Sequence, residues 1–192
     1  SNGKFTGTVN ANAGVFNNVT IEETCDVKGT IYASKIVGDV LSAKVVSANS
    51  TDSAGSGHVV ASASVKGART QAANLYCLGV TVEVYASGGY QPGGNDQDVP
   101  SSISGRLVLR NTAGSIIASA PFKASSRSNS SMDSVSQSIT IQGGFNVGTG
   151  AASMSVAVII DSQSASYGGS AGVRVPAQSI AFCLLPSGSQ FN

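Results

Sequence analysis

Apolar and polar residues alternate along most of this chain, and the alternation has a period of two. In Val80-Thr81-Val82-Glu83-Val84 and in Met154-Ser155-Val156-Ala157-Val158, side chains two apart fall on one face of an extended backbone. That is the pattern of a strand with one buried face. The 3.6-residue period of an amphipathic helix is met only weakly, over residues 67–74. Strands are expected over residues 59–65, 75–85, 106–110, 115–122, 135–142, 153–160 and 177–185. Asn111-Thr112-Ala113-Gly114 separates the third from the fourth with Asn first and Gly last, as a type I turn prefers, so these two form a hairpin. The strand spacing, with Gly and Ser turns, predicts an all-β chain whose residues 58–192 form an antiparallel β-sandwich-like domain.

The first 46 residues alternate in shorter pieces and contain a repeat. Phe5-Thr6-Gly7-Thr8-Val9-Asn10-Ala11 returns 22 residues later as Val27-Lys28-Gly29-Thr30-Ile31-Tyr32-Ala33. Further pieces cover 15–21, 25–32, 36–40 and 44–46, with small residues (Ala11, Ala13, Gly14, Ala33, Ala43) where backbones must turn or crowd. A segment of about 45 residues built this way cannot bury enough apolar surface to offset its own ordering entropy. Its simplest partners are copies of itself. Phe5, Val9, Val15, Phe16, Val19, Ile21, Val27, Ile31, Ile36 and Val40 then form the shared interior of a shaft spanning 1–46. Residues 47–57, rich in Ser, Ala and Gly, read as a flexible linker between this shaft and the second domain.

The connections after the second, fourth and sixth strands of the second domain are long: 86–104, 123–134 and 161–172. In an up-and-down order, connections of equal parity emerge at one end, so these three loops are expected to form one surface unless Greek-key crossings intervene. Gly, Ser and Asn make such loops adaptable, and tyrosines anchor them, as in antibody-type binding loops. Tyr90, Gln91, Asn95, Arg127, Asn129 and Tyr167 are the candidate contact residues.

Composition narrows the function. Among 192 residues, 23 are Gly, none is Trp, 11% are charged, and the net charge is +1. The surface is therefore carried by uncharged hydrogen-bonding groups. Eleven scattered basic residues make no phosphate-binding stripe, which argues against nucleic acid. No apolar run reaches the length of a membrane-spanning helix, so insertion of this segment into a membrane is not expected. Starting without Met or a signal-type leader and directly inside the repeat, the chain reads as the C-terminal piece of a longer polypeptide.

Catalytic chemistry finds few supports. The single histidine, His58, has no Gly-x-Ser-x-Gly partner and reads as a boundary residue at the start of a strand. Asn95-Asp96-Gln97-Asp98 offers oxygen ligands but lacks the later Gly and Glu of a calcium loop, and reads as a solvated turn. No catalytic residue, metal or cofactor is expected. Cys25, Cys77 and Cys183 fit no zinc or disulfide framework and read as small buried hydrophobes, the alternative being a Cys77–Cys183 bridge across two packed sheets.

The stretch from Gly3-Lys4-Phe5-Thr6-Gly7 through Cys25-Asp26-Val27-Lys28-Gly29 to Ile36-Val37-Gly38-Asp39-Val40 resembles the family of central tail-fibre proteins (host-specificity, or tip attachment, protein J) of lambda-like bacteriophages. The resemblance covers about the first quarter of the chain. It implies a homotrimeric shaft at the tip of a phage tail, part of the virion, followed by a non-enzymatic domain that binds a host outer-membrane protein of the porin or siderophore-transporter class. It transfers no contact residues, because the matched stretch is shaft. A tailspike-like polysaccharide-binding or depolymerising protein, a bacterial trimeric adhesin and a purely structural rod cap are the alternatives.

Overall fold

A computed structural model describes residues 42–67, 69, 72–91, 97–126, 134–165 and 167–186. The ten expected shaft-interior residues, Cys25, and the candidates Asn95, Arg127 and Asn129 lie outside these. The chain divides into two compact units, Ser1–Tyr32 and Ala33–Asn192, and all described residues belong to the second.

The described residues are all-β, with antiparallel pairing throughout and no helix. Eleven strands follow in order: β1 (Ser42–Ala48), β2 (Val59–Val65), β3 (Ala73–Ser87), β4 (Gly89–Gln91), β5 (Gln97–Val99), β6 (Ser102–Arg110), β7 (Ile116–Ser125), β8 (Ser134–Gly148), β9 (Ala152–Ser164), β10 (Ser170–Arg174) and β11 (Gln178–Pro186). A five-stranded sheet has the order β1-β11-β3-β10, with β8 on the other side of β3; a four-stranded sheet has the order β2-β9-β6-β7; β4 and β5 form a small ribbon. Both larger sheets contribute to one buried cluster, which includes Val80, Val82, Val84 and Phe182 from the first and Leu107, Leu109, Val156 and Val158 from the second. These are the alternating apolar positions of the sequence, buried because only that face meets another layer.

The predicted hairpin is present. β6 pairs with β7, and at the turn Gly114 N donates to Asn111 O (2.9 Å), with Gly114 at φ 78°. The side-chain oxygen of Asn111 also accepts from the N–H groups of Ala113 and Ser115, both at 3.0 Å. Asn opens the turn and Gly closes it in a left-handed conformation that costs glycine nothing.

Three expectations change. First, the shaft/domain boundary is misplaced. Residues 44–46, read as shaft, lie in β1, which pairs with β11 along its 7 residues, and Val46 packs on the core. Second, residues 47–57 are no spacer. Thr51 and Val175 exchange backbone hydrogen bonds (2.9 and 2.8 Å), Ala54 N donates to Val173 O (2.8 Å), and Ala54 is buried in the core. Small residues here are what lets the chain pass close beside β10. Third, Ala73 and Asn74, at the end of the weak helical pattern, already belong to β3. As expected of small buried hydrophobes, Cys77 and Cys183 are both free and buried; they occupy adjacent strands of one sheet, not the two packed sheets of the alternative bridge. Cys77 is opposite Phe182 and Cys183 opposite Tyr76, so strand alternation sends the two thiols to opposite faces and no bridge can form. Burial pushes the Cys77 thiol above its ordinary range, as expected of a core residue.

Along one edge, β3 changes partner from β11 (residues 73–77) to β10 (residues 83–87). The backbone between would lose its ladder. Gln178 fills the gap with its side chain: Thr81 N donates to Gln178 Oε1 (3.0 Å), and Gln178 Nε2 donates to Thr81 O (2.6 Å). This amide copies the two-bond pairing of a neighbouring strand. Gln178→Ala is expected to lower stability by about 1–3 kcal/mol, the cost of leaving part-buried backbone groups unpaired, as a lower denaturation midpoint will show. Gln178→Glu keeps the acceptor but removes the donor, and is expected to restore little.

Candidate functional site

The strand registers fix where the long loops emerge. In the five-stranded sheet, Ser87 at the end of β3 pairs with Ser134 at the start of β8 and with Ser170 at the start of β10. In the four-stranded sheet, Ser102 at the start of β6 pairs with Ser125 at the end of β7 and with Ser164 at the end of β9. All three long connections therefore leave from these two serine rows.

Hydrogen bonds across the two sheets bring the rows together. Gln163 Nε2, in β9, donates to Ala171 O in β10 (2.6 Å). Ser126 N donates to Ser101 O (3.0 Å), and Ser101 N donates to Ser126 Oγ (2.8 Å), tying the loop after β7 to the residues before β6. Tyr90 N donates to Tyr167 O (3.0 Å), tying the loop after β3 to the loop after β9. The loops share one end of the domain. They do so despite the non-sequential strand order because β3, β7 and β9 all end, and β6, β8 and β10 all begin, in these rows.

The opposite end carries the start of β1. Ser42 pairs with Leu184, which pairs on its other side with Leu75 near the beginning of β3. Chain entering at Ser42 thus lies a full strand length from the loops.

Two of the six candidate residues are brought together with their side chains outward. Tyr90 is 51% exposed and Tyr167 54% exposed, and their backbones are joined directly. Tyr167 is the one non-glycine among the described residues with positive φ, at 51°. A bulky side chain in that region costs about 1–3 kcal/mol and persists where surrounding structure enforces it, a feature that concentrates at functional sites. Gly168, at φ 81°, continues the turn, and Gly169 sits so close to Gly89 N (2.8 Å from its ideal Cβ position) and Ser101 Oγ (2.5 Å) that no side chain fits. Gln91 is the last residue of β4, opposite Gln97, and Asp98 lies opposite Tyr90 in β5.

Sequence reasoning missed the support under these tyrosines: Ser101 and Ser126, both buried, with Gln163 and Gly169. The signal available was the Tyr167-Gly168-Gly169 run, a tight turn beside a tyrosine. Nothing marked Ser101 or Ser126 among so many serines.

A second group lies on the outer face of the five-stranded sheet, toward the same end. Arg174 sits over the Tyr85 ring (4.9 Å to its centre) and pairs with Glu83 (3.1 Å) and Asp52 (3.7 Å). With Ser87, Ser134, Ser136 and Ser170 it borders a shallow polar cleft of about 340 Å³. Asp161 pairs with Arg106 (3.1 Å). His58 is held through its backbone, its N–H to Gly55 O (3.1 Å) and its carbonyl from Val158 N (2.9 Å). Among the described residues no three His, Cys, Asp or Glu side chains converge on a metal position, and no helix is long and apolar enough to cross a membrane. No protein-family model matches this chain.

Proposed function

We propose that this chain is the distal part of a phage tail-tip fibre that binds a host outer-membrane protein and attaches the virion to the cell. In this reading residues 1–40 assemble with two further copies into a shaft, and the two packed sheets form a β-sandwich that presents the clustered loops. Binding is non-enzymatic and needs no cofactor. The observation that carries it is the loop end: three long, Gly- and Ser-rich connections start and finish at one end, far from Ser42, where Tyr90 and Tyr167 are exposed. Exposed tyrosines on a rigid base supply large contact area at small entropic cost. The resemblance of the first quarter of the chain to phage tail fibres supplies the setting. Three linked copies raise weak single-site affinity through effective concentration.

The test is direct. The purified full chain is expected to slow phage adsorption by competing for its receptor, and to bind membranes from cells carrying that receptor but not from a strain deleted for one porin or transporter gene. Binding that survives every such deletion but is lost with truncated lipopolysaccharide would replace the protein-receptor reading by the polysaccharide one. Release of oligosaccharide on incubation with host polysaccharide would establish a depolymerase instead.

A further inference from the structure

The outer face of the five-stranded sheet is divided. Near the loops it is polar, carrying Glu83, Tyr85, Ser136, Ser138 and Arg174. Toward the Ser42 end it turns apolar. One register row runs Ala43, Cys183, Tyr76, Gly144 across four adjacent strands, and the next places Val45 opposite Ala181, with Leu78 the following outward residue of β3. Val45 is 64% exposed, Leu78 56% and Tyr76 36%. Cross-strand polar pairs frame the patch: Asn146 Nδ2 donates to Asn74 Oδ1 on one side (3.2 Å), and the Thr81 and Thr140 hydroxyls bond each other on the other (2.8 Å). These rows contain no charged residue.

We infer that this apolar half-face packs against second copies of the same chain, facing the axis of the assembly. The inference rests on the trimer reading above and adds which face joins the second units. Its location argues for that occupant. The patch begins at Ala43, the second residue of β1, where the 41 residues that carry the self-assembling repeat lead into the sheet. Copies joined through those residues bring their β1 starts together, and with them the patches. The chemistry agrees. Ala43, Ala181 and Gly144 let backbones approach closely, while Val45, Leu78 and Tyr76 supply apolar area that in an isolated chain would stay in water. The absence of charge also suits a face near the axis, where a charge would meet its own copies.

The experiment uses the full chain with one added cysteine, Leu78→Cys or Val45→Cys, and Ser138→Cys as the control on the polar half, the unsubstituted chain giving the labelling and cross-linking of native Cys25, Cys77 and Cys183 to be subtracted. In the assembled wild-type background, maleimide labelling at Leu78→Cys and Val45→Cys is expected to be at least tenfold slower than at Ser138→Cys. A bifunctional maleimide is expected to join copies through the first two sites and not through the third. Labelling as fast as the control, in a chain that sediments as a trimer, would overturn this inference and leave the trimer standing. Protection without cross-links between copies would show that a segment of the same chain covers the patch, and would also overturn it. A chain that sediments as a monomer would sink the trimer reading itself.

Discussion

Replacing Tyr90 and Tyr167 together by alanine is expected to reduce receptor binding roughly 100-fold while leaving assembly and thermal unfolding unchanged. Buried interface tyrosines commonly contribute about 2 kcal/mol or more each, a factor of about 30, and neighbouring hot spots are not additive. Both exposed side chains come from backbones that hydrogen-bond to each other, so the two substitutions are expected to act on one contact region. Phenylalanine at either position keeps the ring and is expected to retain most of the affinity. Tyr167→Gly separates side chain from backbone, because it relieves the positive φ while removing the ring. If binding follows the ring, Tyr167→Gly is as defective as Tyr167→Ala although it is no less stable. Unchanged adsorption by the double variant would remove the loop end from the contact surface.

The largest effect on stability is expected at Phe182. It is the largest of the fully buried side chains, opposite Cys77 in β3 and Lys44 in β1, and belongs to the cluster fed by both sheets. With Leu75, Leu184, Ala63 and Val65 it borders a solvent-open groove of about 210 Å³ near the Ser42 end. Phe→Ala in a core costs about 3–5 kcal/mol, and the cost grows with the void left unfilled. Phe182→Ala is expected to fall within that range, with a melting temperature lower by about 10 °C, while Phe182→Leu loses much less.

What could be read in advance follows from how each strand is made. β2, β3, β6, β7, β8, β9 and β11 were legible because each buries one face and so alternates over five residues or more. β10 was hidden: Ser-Ala-Gly-Val-Arg has the composition of the loop before it, and it is a strand because β3 offers it an edge. β1 was visible as alternation but was given to the shaft, since nothing local distinguishes a strand that pairs with β11 from one that pairs with another chain. Composition misled at 47–57, where small residues allow close passage over β10 just as readily as they make a tether. The shared loop end was legible because the strands bounding each long loop, β3 and β6, β7 and β8, β9 and β10, reverse direction across it. The cysteines were not, since alternation gives a face only after the register is known.

The way β1 is held also bears on mechanical load. Under the proposed function, force between the loop end and the chain preceding β1 would act on Ser42 along the strand axis, since Ser42 and the loops lie at opposite ends of the sheet. Antiparallel hydrogen bonds lie perpendicular to that axis, so the seven register pairs from Ser42–Leu184 to Ala48–Gln178 resist in shear, all at once, instead of unzipping singly.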